Sequence, residues 1–244
     1  HILSFFTKSG FMPAISDTER EAIAAGTVWL DGELFSGQPA LKKLATAEYP
    51  DLTADERAFL DGPVKKVCEM TNDWQGYQQR DLPKEVWDYL KHERSFGLAI
   101  DKEFNGLGMS ASANSAVVQK LASHSLPLAI TVMVPNSLGP AELLSHYGTE
   151  EQKRTFLPLV ADGALMAFGL TEVGIGVNAK KVRAYVEPDP SGSGYRLFAQ
   201  GDRNKLWITN ATHGGLVGIV CRVGKEGKKV GLFVTKLPEH DIAR

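Results

Sequence analysis

Two stretches carry residue types that could do chemistry: "FGLTEVGIGV", Phe168 to Val177, and "KLWITNA", Lys205 to Ala211. In the first, three glycines lie beside Thr171 and Glu172, directly after the apolar run "ALMAFGL". A plain turn needs one glycine or two; more suggests that something must approach the main chain with no Cβ in the way. Taken alone, the same pattern also reads as a flexible strand-to-loop turn. In the second stretch, period-two alternation puts Trp207 and Thr209 on one side of a strand, with Leu206 and Ile208 on the other. That is a wall for a flat ligand, or ordinary strand core.

The remaining reactive side chains form no constellation. His92, His124 and His146 fall on predicted helices without matching partners, and His213, after "ITNAT", is assigned no role although it could border a cleft. Ser137 in "PNSLGP" lacks the flanking glycines of a nucleophile elbow, so a hydrolase is unsupported. Cys68 and Cys221 are the only cysteines, far apart and without metal-ligand spacing. They read as reduced thiols in a cytosolic-type environment; no metal site is expected.

The 244 residues suffice for one large domain or two ordinary ones, and an apolar share of 43% supports a core. A net charge of −2 gives no electrostatic case for nucleic acid or an anionic membrane surface. The start at His1 is read as a processed or trimmed end. "ILSFF" and "LPLAITVMV" fall short of the ~20 apolar residues a membrane span needs. The second reads as a buried helix segment. Attachment to a membrane through upstream residues stays open beside a cytoplasmic location.

The elements that must position the two stretches are helices first and strands after. Capping boxes stand at Ser16–Glu19, Thr53–Glu56 and Thr149–Gln152, where the first side chain meets a helix amide and the Glu or Gln reaches back. After the second box, Leu60, Val64, Val67, Met70, Trp74 and Tyr77 recur every three or four residues and predict one buried helical stripe, with Pro63 tolerated near its start. Another helix is predicted from "LPKEVWDYLKHE", with Pro83 in its first turn. Gly106 and Gly108 break the pattern, and a helix follows from about Ser110. Pro127, Pro135 and Pro140 predict several short helices next. Beyond about residue 164, "GYRLFAQG", "KLWITNA", "GLVGIVCRV" and "KVGLFVTKL" read as strands, with "EPDPSGSG" as a hairpin connection. Helices followed by strands point to an α+β fold. No G-x-G-x-x-G opens a helix after a strand, which counts against a Rossmann site.

In this order the segments resemble the acyl-CoA dehydrogenases. The likeness rests on "YLKHERSFGLAIDKEFNGLG", "NSLGPAELLSHYGTEEQKRTFLPLVADG", "MAFGLTEVGIG" and "KLWITNA", and "ISDTEREAIAAGTVWLDGELFSG" looks like the extension of the long bacterial branch that acts on fatty acyl thioesters. The resemblance implies an N-terminal all-helical domain, a β-barrel-like middle domain and a C-terminal four-helix bundle, the last absent from this chain. The implied parts are residues 1–50 as an N-terminal extension, 51–163 as the helical domain and 164–244 as the middle β-domain, incomplete. It also implies flavin adenine dinucleotide (FAD). Phe168 and Leu170 would offer main-chain groups to the flavin's pyrimidine edge and Thr171 a hydroxyl near its reactive nitrogen. Gly174 and Gly176 would let amides approach the pyrophosphate, Trp207 would stack on the ring, and Thr209 would bond its edge.

Where the family has "PGAGSD" this chain has "VGIGVN". Val177 replaces a serine that would contact the pyrophosphate, a hydroxyl bond worth about 0.5–1.5 kcal/mol. Val173 replaces a proline and Asn178 an aspartate. Met133 and Val134 are candidates for lining the acyl pocket. The implied reaction converts a saturated fatty acyl-CoA to the trans-2-enoyl-CoA in β-oxidation. Its base lies on the bundle, so no residue here is assigned as catalytic; Glu172 belongs to the flavin turn. The implied partners are an acyl-CoA thioester, an electron-transfer flavoprotein-type acceptor and further copies of the chain. A catalytically silent assembly module, and a flavin oxidase or monooxygenase on the same scaffold, are the competing readings.

Overall fold

The computed structural model describes Leu34 and residues 37–48, 50–137, 139–176, 178–192 and 194–237. The chain divides into two compact units, residues 1–50 and 51–244. In the first, α1 (Leu41–Thr46) is a short helix with an exposed surface. The capping box expected at Ser16 and most of the proposed extension lie outside the described residues.

The second unit opens with α2 (Ala54–Phe59), whose capping box forms as expected: Thr53 Oγ1 accepts the Glu56 amide and Glu56 Oε2 accepts the Thr53 amide. A π turn (Leu60–Val64) then leads into α3 (Lys65–Met70). Pro63 therefore sits inside helical structure rather than near its start. The wider turn accommodates a residue that has no N–H to give. The expected stripe also ends early. Thr71 is extended, Asn72 caps a new helix, α4 (Asp73–Gln79), and Trp74 and Tyr77 stack on each other in solvent, 69% and 73% exposed.

The other helices are α5 (Lys84–His92), α6 (Ala111–Ala122) capped by Ser110, α7 (Leu126–Ser137), α8 (Pro140–Tyr147), and α9 (Glu150–Ala161) with its Thr149–Gln152 box. Pro127 and Pro135 do not divide α7. Pro127 occupies the first turn, where no amide is required, and Pro135 falls in the last. Asn136 completes that end: its Oδ1 accepts the Leu98 amide at 2.8 Å, while Nδ2 donates to Ser95 and Val132 carbonyls. Leu90, Phe96, Leu98, Leu121, Leu128 and Val132 form the centre of the helical core.

Among the described residues five strands follow: β1 (Met166–Gly169), β2 (Tyr185–Pro188), β3 (Tyr195–Phe198), β4 (Leu216–Val223) and β5 (Val230–Lys236). β4 is central. β1 runs parallel to it from Met166↔Leu216 to Gly169↔Ile219, β2 joins at Tyr185↔Arg222, and β5 covers the strand antiparallel. The β2–β3 pair is antiparallel, so "EPDPSGSG" is the hairpin connection expected. Helix and sheet meet where Leu144, Leu157 and Val160 pack with Met166 and Leu216. Gly218 marks the closest approach: a Cβ there would stand 2.4 Å from the Pro140 ring. The α+β architecture is as the sequence predicts. No helix among the described residues is long and apolar enough to cross a membrane.

Candidate functional site

β1 is an edge strand among the described residues, so one side of its main chain is not taken up by β4. After Gly169 the chain turns sharply. The Glu172 and Ile175 amides and carbonyls exchange two hydrogen bonds of 3.0 Å, with Val173 and Gly174 between them. Gly174 has φ +71, the left-handed region that a side chain resists. A Cβ added at Gly174 or Gly176 would meet nothing within 4 Å, so interior packing does not explain either glycine. Val177 lies outside the described residues.

The second stretch comes to this turn. Lys205 bridges to Glu172, and the Leu206 amide donates to the Thr171 carbonyl at 3.0 Å. The pairing stops there, and "KLWITNA" is not the strand its alternation predicts. Trp207 has φ +56 and Asn210 φ +63, which breaks the alternation of faces. Ile208 packs towards Gly169, Thr209 enters a turn, and Trp207 stands alone, 87% exposed. Holding an aromatic residue in this backbone region costs about 1–3 kcal/mol. Trp207 and Thr209 therefore do not form one strand face. The two stretches nevertheless meet through their main chains, Lys205 at Glu172 and Leu206 at Thr171.

Asn210 is fixed from the helical side. Pro135 has no N–H, which frees the Thr131 carbonyl from its helical partner; Asn210 Nδ2 donates to that oxygen at 2.9 Å. Beyond it, His213 stacks on Trp87 with centroids 4.0 Å apart and shares Asp81 with it: His213 Nε2 lies 2.7 Å from one carboxylate oxygen, and Trp87 Nε1 donates to the other. These residues line a cleft of about 880 Å³ with Tyr77, Thr131 and Thr212. Met133 and Val134, candidates for an acyl pocket, are half-buried on α7.

Beneath the glycine turn is a charged centre that the sequence reading passed over. Lys205 Nζ donates to Glu172 Oε1 at 2.8 Å, to the Leu170 carbonyl at 3.1 Å and to the Val220 carbonyl at 2.6 Å. The two carboxylate oxygens of Glu172 also accept the Arg183 and Ala184 amides. Both side chains are buried, Glu172 completely. Burial alone would push its carboxyl up; Lys205 and the two amides outweigh it and hold it below the usual carboxylate range. The signal was a lysine two residues before an aromatic in an otherwise apolar run. The Leu170 carbonyl thereby holds one hydrogen bond within the chain. Asn178 caps the short turn Ala179–Lys181, its Oδ1 accepting the Lys180 amide as an aspartate would. Burial pushes Cys221 up to about 11, the opposite of a reactive thiol. Among the described residues no group of side chains could hold a metal ion.

The family model described as acyl-CoA dehydrogenase, N-terminal domain, matches residues 46–164. The very long-chain specific acyl-CoA dehydrogenase of Mus musculus mitochondria is 33% identical over 195 residues, covering 76% of this chain and 28% of that protein. In fold the chain is similar to acyl-CoA dehydrogenase from Geobacillus kaustophilus, with TM-score 0.65, 23% identity, and coverage of 78% of this chain and 50% of that one. It is also similar to a glutaryl-CoA dehydrogenase from Mycobacterium smegmatis solved with FADH2, with TM-score 0.62, 24% identity, and coverage of 76% and 46%. The chain thus spans about a quarter to a half of the proteins it matches.

Proposed function

Because this chain belongs to the acyl-CoA dehydrogenase family, and matches part of the length of its relatives, we propose that it forms the helical and flavin-facing parts of a dehydrogenase. That enzyme oxidises a saturated fatty acyl-CoA to its trans-2-enoyl thioester. The observation that carries the reading is Trp207: a large aromatic side chain left in solvent, in a costly backbone conformation, hydrogen-bonded through its neighbour to a bare glycine turn. The residues present fit FAD. The Trp207 side chain is open to solvent, a Cβ at Gly174 or Gly176 would meet nothing within 4 Å, and the similar protein from Mycobacterium smegmatis was solved with FADH2. We assign residues 51–163 to the helical domain and 164–244 to the middle β-domain.

In this reading Trp207 covers one face of the isoalloxazine, and Phe168 and the Leu170 amide address its pyrimidine edge. Thr171 and Thr209 supply hydroxyls, and Gly174 and Gly176 admit the pyrophosphate. When bound, FAD would supply the acceptor for a hydride from the β-carbon of the thioester. The α-proton goes to a carboxylate that no residue of this chain is assigned to supply. What this chain contributes is placement and exclusion of water, which keeps the reduced cofactor for its own acceptor. An electron-transfer flavoprotein-type acceptor, assembly into homo-oligomers and a cytoplasmic site complete the proposal.

Asn178 retains its capping bond, so this departure from the family's aspartate leaves the local turn intact. That favours a working flavin site over a silent module. The test uses the full-length protein. A yellow flavin spectrum that bleaches anaerobically with saturated acyl-CoA, releasing enoyl product, is the expected result. A colourless protein that takes up no FAD overturns the reading; rapid peroxide formation in air would make it an oxidase.

A further inference from the structure

We propose that the buried Lys205–Glu172 pair is the positioning element of the cofactor turn: it sets where the Leu170–Gly176 main chain stands, although neither side chain is itself presented to a ligand. Four separate segments meet on it. Lys205 Nζ draws in the Leu170 carbonyl from the end of β1 and the Val220 carbonyl from β4, while Glu172 gathers the Arg183 and Ala184 amides. The turn has little else to hold it. A Cβ added at Gly174 or Gly176 would meet nothing within 4 Å, and the paired hydrogen bonds between Glu172 and Ile175 fix only its own curvature. From outside, the Arg183 guanidinium reaches the Val173 carbonyl and Asp202, and it too stands against Glu172, at 3.9 Å.

The arrangement has a chemical logic. A turn that must offer amides to a phosphate cannot use those amides to anchor itself. Here the anchoring is done by a carbonyl, Leu170, and by a carboxylate one turn-length before the glycines. The donors that a ligand needs stay unspent, and a buried ammonium supplies the attachment. Lys205 also fixes the next residues along its own segment, so one group sets both the glycine turn and the approach of Trp207.

This inference rests on the proposed FAD site, and its test separates the two. In the full-length protein, FAD affinity is measured by flavin fluorescence quenching for wild type, Lys205→Arg, Lys205→Met, and the double variant Lys205→Met with Glu172→Gln. The double variant removes both charges together, so no lone buried ion threatens folding. Amide hydrogen exchange over residues 170–176 is followed in the same apoproteins. The expected result is a loss of FAD affinity of about 10-fold or more in the folded double variant, partial recovery in Lys205→Arg, and exchange at 170–176 accelerated while the helical core is unchanged. A double variant that binds FAD as wild type does, or exchange at 170–176 that does not change, overturns the proposal. If wild type itself takes up no FAD, the flavin reading falls, and the exchange measurement still decides whether the pair positions the turn.

Discussion

Two carboxylates do similar work, one among the helices and one beside the sheet, and the contrast between them explains how each region is held. Glu56, at the start of α2, accepts the Thr53 amide of its own turn and the Ser110 amide that opens α6, both at 2.8 Å. Glu172, under the glycine turn, accepts two amides from a distant segment as well. Glu56 has no buried cation; the amides of Ser110 and then Thr53 take its carboxyl down to about 2. Glu172 needs Lys205 beside it. The helical region is stapled at its rim by a carboxylate that joins its own capping box to the Ser110 amide, 54 residues on. The sheet region is stapled by a charge pair removed from water, which is strong only while both partners are present. Helices can be secured by their ends; the glycine turn is secured from below, through Leu170 and Glu172.

The largest effect should come from separating that pair. Lys205→Met leaves Glu172 buried without its cation, and breaking a buried pair costs about 3–5 kcal/mol; urea unfolding checks this. The double variant should recover most of the loss. If it does not, Lys205 matters for its carbonyl bonds rather than for its charge. In the helical region the comparable loss is Asn136→Ala, which strands the Leu98 amide and the Ser95 carbonyl in the core for about 3 kcal/mol. An unfolding midpoint shifted by less than a third of that amount would mean the end of α7 can rearrange.

The rim staple gives a smaller and pH-dependent signal. Thr53→Ala should cost about 1 kcal/mol, the ordinary loss for an N-cap. Glu56 has its pKa depressed in the fold, so its contribution is complete above the ordinary 4.5 and is lost as pH falls towards about 2. Glu172 has the same sign. Glu56→Gln should therefore lower Tm at neutral pH, where the carboxylate's contribution is complete, and approach wild type in acid, which flattens the fall of Tm across that window. An acid limb parallel to wild type would assign the bonds to the neutral acid instead.

What the sequence showed and what it hid divide along the same line. The capping boxes at Thr53 and Thr149 form as written because each is complete within four consecutive residues, with no need of distant partners. The expected stripe runs on from Met70 to Trp74 because its spacing continues across Thr71 and Asn72, while the helix does not: Asn72 is itself a cap. Pro135 was read as a divider because proline removes one hydrogen bond, but the orphaned Thr131 carbonyl finds Asn210, 79 residues further on. Lys205 was overlooked for a related reason. Alternation records which face a residue occupies and not which charge lies across the sheet from it. "KLWITNA" looked like a strand because its apolar residues alternate, yet Trp207 takes a backbone angle that no composition rule assigns to tryptophan. The resemblance to a family points to the glycine turn; the tertiary hydrogen bonds that hold it are not local, and so are not legible in the sequence.

Trp207 sharpens the comparison with the smallest change in stability. At 87% exposure the indole contributes little to the folded chain, and its φ of +56 costs what a glycine would not. Trp207→Gly should therefore leave unfolding unchanged or raise stability by up to about 1 kcal/mol, although a large aromatic side chain has been deleted. FAD affinity should fall about 10-fold, in line with the 0.5–1.5 kcal/mol that aromatic stacking adds beyond burial. Trp207→Phe should lie between on affinity and match wild type on stability. The opposite outcome, stability lost and FAD affinity kept, would make the indole a packing residue whose cover lies elsewhere in the full-length protein. The glycine turn would then have to bind the cofactor without an aromatic wall. An exposed side chain that lowers stability and raises affinity is what a binding surface looks like before its ligand arrives, and the two measurements together distinguish that from an accident of the surface.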